Sequence, residues 1–364
     1  VSSAASDVYK RQVILILIQT GGLGVVTVAV AAFMLSGRKI SLMQRSTMQS
    51  AISAPQVGGI VRLTKFILRG TFLVEAIGAI LLLPVFCHDF GRRGIWMSVF
   101  HSVSAFCNAG FDILGTEGHR FVSLSGYGDN IWLNMVIMLL IIIGGIGFLT
   151  WEDFYKNKLN FRRYRMQSKV ILITTVLLII LPAILFFAND FGEFLFKKRL
   201  LYSIFQSVTT RTAGFNTADL PLMTEAGKAV MILLMLIGGS PSSTAGGMKT
   251  TTFAVLILNA FATFRSREDA GAFGRRFDVQ VIKNAATIAM LYLMLFFGGG
   301  IIISAYEGLP VLTCFYEAAS AIGTVGLTLG VTPDLHIISR LILIVLMYLC
   351  LLYTSPSPRD MRRS

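Results

Sequence analysis

Three short segments share a pattern of residue types that could bind a cation without ionised side chains. Each has a polar residue, a small apolar residue, a glycine and a larger apolar residue: Asn108-Ala109-Gly110-Phe111, Thr212-Ala213-Gly214-Phe215 and Thr324-Val325-Gly326-Leu327. Glycine tolerates the backbone conformations that turn successive carbonyls to one side, and rings of carbonyl oxygens can replace the hydration shell of a potassium ion. The pattern predicts an ion filter built from these residues. Asn108, Thr212 and Thr324 then either add side-chain oxygens or hold the loops.

The surroundings of the three segments are also repeated. Ser104–Phe111 aligns without a gap on Ser320–Leu327, at an offset of 216 residues, and Ser207–Asn216 aligns with the first copy through one gap. A second landmark, a cluster of glycines, follows at 144–147 and 238–239 and also occurs at 21–24. Glycines alone could serve only close helix packing. Packing does not require matched neighbours, so the repetition favours the filter.

A second stretch of small residues ends in a lysine within apolar surroundings. Its members are Gly238, Gly239, Ser240, Pro241, Ser242, Ser243, Thr244, Ala245, Gly246, Gly247 and Lys249. A phosphate-binding loop needs its lysine directly after a glycine, and Met248 intervenes here. The weak helix propensity of the stretch predicts an unwound loop that faces a cavity and gates the path. Lys249 is then a functional charge near membrane depth, and the alternative is an interfacial lysine that snorkels.

Three isolated polar residues lie in or beside apolar segments. We expect His101 to pack or hydrogen-bond on its own short helix, and Glu75 to pair with a basic residue or lie close to an interface. Arg211 would repel a cation, so we expect it to point away from the path and brace its loop. The sequence contains no nucleophile–base arrangement and no cofactor motif. We therefore expect no enzyme activity and no bound cofactor.

The elements that must position these residues are membrane helices. Of the 364 residues, 54% are hydrophobic and only 14% are charged, whereas soluble domains carry about 25% charged residues. Each of the apolar runs Val13–Leu35, Ile131–Trp151, Val170–Ala188 and Asn284–Tyr306 reaches the ~20 residues that cross a bilayer as a helix. The composition excludes a soluble enzyme and predicts a polytopic membrane protein.

The net charge of +13 comes from basic residues in short loops and not from a stripe that would bind nucleic acid. By the positive-inside rule, we place three basic segments, at 38–45, 156–169 and 265–283, on the cytoplasmic side. Most acidic residues fall in the opposite loops, including Asp112 and Asp219. The partners that we expect are therefore the lipid bilayer and no nucleic acid.

The repeating unit is a helix, a short amphipathic helix, a glycine-containing loop and a second helix. The amphipathic segments are predicted at about 93–106, 197–209 and 310–322, with the negative ends of their dipoles toward the ion. The predicted fold is thus an all-α polytopic membrane protein, with repeated helix–pore-loop–helix units around a central ion path, as in potassium channels.

The predicted boundaries divide the chain into six parts. They are a foreign or disordered segment (1–11), the second helix of repeat 1 (12–47), repeat 2 (57–165), repeat 3 with a broken second helix (166–275), an incomplete repeat 4 (278–350) and a foreign or disordered tail (351–364).

Three motifs resemble the Trk/Ktr potassium-uptake superfamily. They are Phe100–Asp112, Gln206–Thr217 and Gly238–Thr252, and Gly37–Ser41 resembles the KtrB-type branch. The resemblance implies four pore-loop repeats around one potassium path and an intramembrane gating loop at Gly238–Lys249. It also implies a cytosolic nucleotide-binding regulatory subunit (KtrA/TrkA-like), a homodimer and a multi-pass location in a bacterial plasma membrane. Potassium is the expected transported ion, and sodium is a candidate coupling ion.

Two departures from the family pattern accompany the resemblance. The filter of repeat 1 is expected upstream of Gly21, before the start of the sequence, and Cys350 stands where the family has a glycine followed by an arginine. Two alternatives stay open: a sodium or non-selective cation transporter of the same superfamily, and a non-conducting membrane scaffold.

Overall fold

The computed structural model describes residues 2–24, 28, 59–115, 122–158, 160–267 and 269–353. The described helices are α1 (Ser2–Leu23), α2 (Ile60–Phe90), α3 (Arg93–Phe106), α4 (Ile131–Gly145), α5 (Phe148–Asn157), α6 (Met166–Asn189), α7 (Phe196–Thr209), α8 (Glu225–Leu236), α9 (Thr250–Phe264), α10 (Val279–Glu307), α11 (Val311–Ile322) and α12 (Ile337–Tyr353). Short 3-10 turns lie at Ser125–Tyr127, Phe161–Arg163, Leu220–Leu222 and Thr332–Asp334. An antiparallel hairpin of β1 (Gly271–Ala272) and β2 (Arg275–Arg276) pairs Gly271 with Arg276.

Three of the described helices are long and apolar enough to cross a membrane: Val61–Phe90, Met166–Asn189 and Val279–Glu307. The last two contain the predicted spans Val170–Ala188 and Asn284–Tyr306. Many of their outward side chains are apolar; on α2, Leu73 and Ile80 are 62% and 63% exposed. Apolar side chains that face outward along such a helix suit a lipid environment.

The predicted continuous span Ile131–Trp151 is wrong. The chain bends by 96° between α4 and α5, at Gly147, where φ is +90°. A side chain at Gly147 would also meet the Pro241 carbonyl oxygen, 2.6 Å from an ideal Cβ. The close approach of another segment fixes the bend, so hydropathy alone could not reveal it.

The described residues at the N-terminus are helical and differ from the predicted disorder. Residues 2–11 belong to α1, because no proline or glycine interrupts the Ser/Ala-rich segment before the apolar run begins. At the other end, α12 continues through Tyr353, and residues 354–364 lie outside the described residues. Most of the predicted helix at 12–47 also lies outside them beyond Gly24.

Side-chain caps fix the starts of three helices in the described ranges. Asn130 accepts a hydrogen bond from the Leu133 amide (3.0 Å), and Thr224 accepts one from the Gly227 amide (3.0 Å). Asp278 caps α10 by accepting from the Gln280 amide (2.9 Å). These residues satisfy amides that the helix itself leaves free.

Three short helices, α3, α7 and α11, occupy the positions predicted for the amphipathic segments. Each packs against the long helix that precedes it: α3 on α2, α7 on α6 and α11 on α10. Phe100, Phe205 and Tyr316 anchor the three helices at equivalent positions and are at most 1% exposed. The repeat seen in the sequence is therefore also a repeat of packing.

Candidate functional site

The segments Asn108–Phe111, Thr212–Phe215 and Thr324–Leu327, here called loops A, B and C, meet one another. An ideal Cβ on Gly110 of loop A would lie 2.9 Å from the Gly214 Cα and still closer to the Ala213 carbonyl oxygen. A Cβ on Gly214 would collide with the Val325 carbonyl oxygen of loop C. Backbone from three distant parts of the sequence is thus in contact, with carbonyl oxygens at the points of contact.

The three loops share one backbone conformation. In loop A, φ is +50° at Asn108 and +69° at Gly110; the matching values are +67° and +81° in loop B, and +52° and +88° in loop C. The residue between each pair has a negative φ. Positive φ is costly for a residue with a Cβ, so three copies of this alternation indicate a conformation that the surrounding structure enforces.

A hydroxyl near the end of each short helix holds the loop that follows. Ser104 Oγ donates to the Phe111 carbonyl (2.7 Å), and Thr209 Oγ1 donates to the Phe215 carbonyl (2.5 Å). In the third copy, Ser320 Oγ accepts from the Gly326 amide (3.1 Å). The one-gap alignment of Ser207 with Ser104 is therefore wrong, because Ser207 donates to the Ile179 carbonyl (2.7 Å) and Thr209 takes the bracing role.

The first residue of each loop is polar, and these residues differ in their hydrogen bonds. The Asn108 side-chain nitrogen, in the amide orientation that satisfies its neighbours, donates to the Ala105 and Ile141 carbonyls, both at 3.3 Å. Asn108 thus holds loop A. The Thr212 hydroxyl is buried and has no hydrogen-bond partner among the described residues. Among the last residues of the three loops, Phe215 and Leu327 are buried, whereas Phe111 is 53% exposed.

The segment 238–249, here called the central loop, interrupts the helical path between α8 and α9. The Gly238 amide donates to the Met248 carbonyl (2.8 Å), and the Thr250 amide donates to the Gly239 carbonyl (3.0 Å). Lys249 Nζ donates to the Ala245 carbonyl (2.8 Å). Lys249 therefore hydrogen-bonds within the central loop.

The central loop also contacts loop C, the end of α3 and the bend after α4. Thr244 Oγ1 donates to the Phe106 carbonyl at the end of α3 (2.9 Å), and an ideal Cβ on Gly246 would lie 3.2 Å from the Thr324 Cβ. At the bend, the Phe148 amide donates to the Ser242 carbonyl (2.7 Å). The central loop thus lies directly beside the loops that it is predicted to gate.

The structure also places the isolated polar residues. His101 Nδ1 bonds to the Met97 carbonyl (2.8 Å) on its own helix, as expected. Glu75 does not pair with a basic residue: it is 5% exposed, and its carboxylate accepts from Gln19 Nε2 (3.2 Å). Arg211 is buried, with Nη2 at 3.5 Å from Thr175 Oγ1 on α6. The Arg211 Nε has no hydrogen-bond partner among the described residues, so the predicted bracing of the loop depends on this long contact.

Two residues that were not predicted to belong to the site contact these loops or the segment that follows them. Thr209 braces loop B, and Glu317 of α11 accepts hydrogen bonds from the segment after loop C. The offset of 216 residues that aligns Ser104 with Ser320 also aligns His101 with Glu317. That signal was present in the sequence, but a histidine and a glutamate do not resemble each other in type.

Comparisons with known proteins agree with this architecture. The family model TrkH, described as a cation transport protein, matches residues 2–358. The chain is 38% identical over 346 residues to the potassium/sodium uptake protein NtpJ of Enterococcus hirae, which covers 92% of this chain and 75% of that protein. It is 35% identical over 349 residues to the Ktr system potassium uptake protein B of Bacillus subtilis, covering 94% and 77%.

A solved structure shows the same fold. The crystal structure of the potassium transporter TrkH from Vibrio parahaemolyticus matches with a TM-score of 0.68 and 19% sequence identity, over 93% of this chain and 69% of that chain. The predicted all-α membrane fold is thereby confirmed.

Proposed function

Because the chain belongs to the TrkH family of cation transport proteins, we propose that it is the ion-translocating subunit of a potassium-uptake system. Members of this family are integral proteins of the plasma membrane and transporters, not enzymes. Potassium is the proposed ion because the similar proteins of Enterococcus hirae and Bacillus subtilis are both named for its uptake.

The observation that carries the proposal is the contact between loops A, B and C. Gly110 lies against Ala213 and Gly214, and Gly214 lies against Val325. A dehydrated cation needs several fixed oxygens at once, and the carbonyls between these loops supply them without a buried countercharge. The ends of α3, α7 and α11 lead into the loops, so the negative ends of their dipoles add a favourable field.

The central loop is the proposed gate of this path. Its contacts with Phe106 and loop C are single hydrogen bonds and small-residue contacts, which are weak enough to break and re-form. Lys249 contributes by closing the loop on the Ala245 carbonyl. A regulatory subunit that binds the cytoplasmic face could then bias the loop toward one conformation.

The partners and the coupling ion are further parts of the proposal. We infer a cytosolic nucleotide-binding subunit of the KtrA/TrkA-like kind and a homodimer, and the basic segments at 156–169 and 265–283 supply a charged face for the former. Sodium is the second candidate ion, as coupling ion or as substrate, since the similar protein of Enterococcus hirae is named for both potassium and sodium.

Uptake of radioactive rubidium by cells tests the proposal. The full-length protein that contains this chain is expressed in a bacterium that lacks its own potassium-uptake systems. We expect rubidium uptake that excess potassium suppresses strongly and excess sodium weakly. Equal suppression by the two ions supports the non-selective alternative, and no uptake with normal amounts in the membrane supports the scaffold.

A further inference from the structure

The short helices α3, α7 and α11 carry buried polar residues at one equivalent position. They are His101, Gln206 and Glu317, and each lies three residues before the residue whose hydroxyl holds the following loop. None of the three is more than 4% exposed. A polar group buried at this depth requires partners, so the three sets of partners can be compared.

The three residues differ in the hydrogen bonds that they make to the segment after each loop. His101 Nδ1 donates to the Met97 carbonyl, and its Nε2 has no partner among the described residues. Gln206 Nε2 donates to Asn216 Oδ1 (3.1 Å), directly after loop B. Glu317 makes more hydrogen bonds of this kind than His101 or Gln206, and it is the only one of the three that has a carboxylate.

Glu317 accepts hydrogen bonds from three groups that follow loop C. Its Oε1 accepts from the Thr328 hydroxyl (2.8 Å) and the Leu329 amide (2.9 Å). Its Oε2 accepts from the Thr332 hydroxyl (2.5 Å). All three groups act as donors, which is the set that an ionised carboxylate holds best.

The bonded segment is short and connects directly to loop C. The Thr328 hydroxyl also accepts from the Gly330 amide (3.0 Å), so one network joins Glu317 to residues 328–332. A Cβ on Gly326 would meet nothing within 4 Å among the described residues. Gly326 itself therefore has no close neighbour among the described residues, and the network fixes the segment that directly follows it.

We propose that Glu317 is a specificity-determining positioning residue, which sets the ion preference by holding the segment after loop C in place. The inference rests on the proposed function, because it assumes that loop C lines the ion path. Without the carboxylate, loop C could widen or narrow around the ion, and sodium would compete better with potassium.

The test measures rubidium uptake by the full-length protein in the presence of excess potassium or excess sodium. The potassium-over-sodium preference is the suppression by potassium relative to the suppression by sodium, and it is compared between variants. Glu317→Gln keeps the size of the side chain but places an amide NH2 against hydroxyl and amide donors. We expect the preference to fall by roughly tenfold, the scale set by the loss of a hydrogen bond to a charged group. Glu317→Asp should retain more preference than Glu317→Gln, whereas a residue that only fills space would show the opposite order.

Two further variants keep the result interpretable. Thr332→Val removes one donor and should lower the preference by a smaller factor; it decides the matter if Glu317→Gln does not reach the membrane. Asp334→Asn removes an exposed carboxylate close by in the chain and should leave the preference unchanged.

The outcomes separate this inference from the proposed function. If Gly214→Ser lowers the preference while Glu317→Gln and Thr332→Val preserve it, the role of Glu317 is refuted and the filter stands. If Glu317→Gln slows rubidium uptake but leaves the potassium-over-sodium preference unchanged, Glu317 is structural and the inference also fails. If Gly214→Ser leaves the preference unchanged, the filter assignment itself is wrong.

Discussion

At the scale of single residues, Gly214 is a tightly constrained position of the site. Its φ is +81°, and a Cβ would collide with the Val325 carbonyl oxygen of loop C and lie 3.4 Å from the Gly110 Cα of loop A. Any side chain here must therefore displace backbone of a neighbouring loop. Backbone cannot move aside as the end of a flexible side chain can.

The first prediction concerns Gly214→Ser in the full-length protein. We expect the potassium-over-sodium preference of rubidium uptake to fall by about tenfold, because a change of only about 1.4 kcal/mol in relative ion binding has that effect. Gly308→Ser is the matched control: φ at Gly308 is +68°, but its Cβ would meet nothing within 4 Å among the described residues. Equal losses in the two variants would mean that backbone strain alone, and not the filter, causes the effect.

At the scale of elements, the sequence predicted the short helices well and the long ones unevenly. Repetition placed α3, α7 and α11 within one or two residues, because amphipathic helices beside matched loops leave a local signal. The bend between α4 and α5 left no such signal, since it depends on the Phe148 amide bonding to Ser242, far along the chain. Likewise, Thr209 was missed because its role appears only once the loop that it braces is folded.

The second prediction concerns the attachment of the central loop. Thr244→Val keeps the shape of the side chain but removes the hydroxyl that donates to the Phe106 carbonyl (2.9 Å). The loss of one such bond costs about 0.5–1.5 kcal/mol, so we expect the released loop to open more often and rubidium uptake to rise by roughly two- to tenfold. Uptake by cells with equal amounts of protein in the membrane is the measurement.

Thr263→Val is the control for that prediction. Thr263 Oγ1 donates to the Asn259 carbonyl (3.0 Å) on the exposed face of α9, so the same chemical change is made away from the loops. Its uptake should equal that of the unaltered protein. Unchanged or reduced uptake with Thr244→Val, at normal amounts in the membrane, would contradict a gating role for the central loop.

At the scale of the whole molecule, three repeats bring their loops to one place. Among the described residues, the hydrophobic core forms one large cluster around α2–α4 and α7, a second around α8 and α10–α12, and a small third one between α9 and α10. The contacts of Gly110 and Gly214 join loops from the two large clusters. The sequence predicted that the loops would converge, from their similarity alone. It could not predict which atoms meet, because contacts such as that of Gly214 with the Val325 carbonyl depend on how the repeats pack.

The proposed function requires that a cation binds among the carbonyls of loops A, B and C. The most direct test is anomalous X-ray diffraction from crystals of the full-length protein grown with rubidium in place of potassium. We expect an anomalous peak bounded by backbone carbonyl oxygens of Asn108–Phe111, Thr212–Phe215 and Thr324–Leu327. Rubidium sites found only elsewhere, in a protein that transports rubidium, would contradict it.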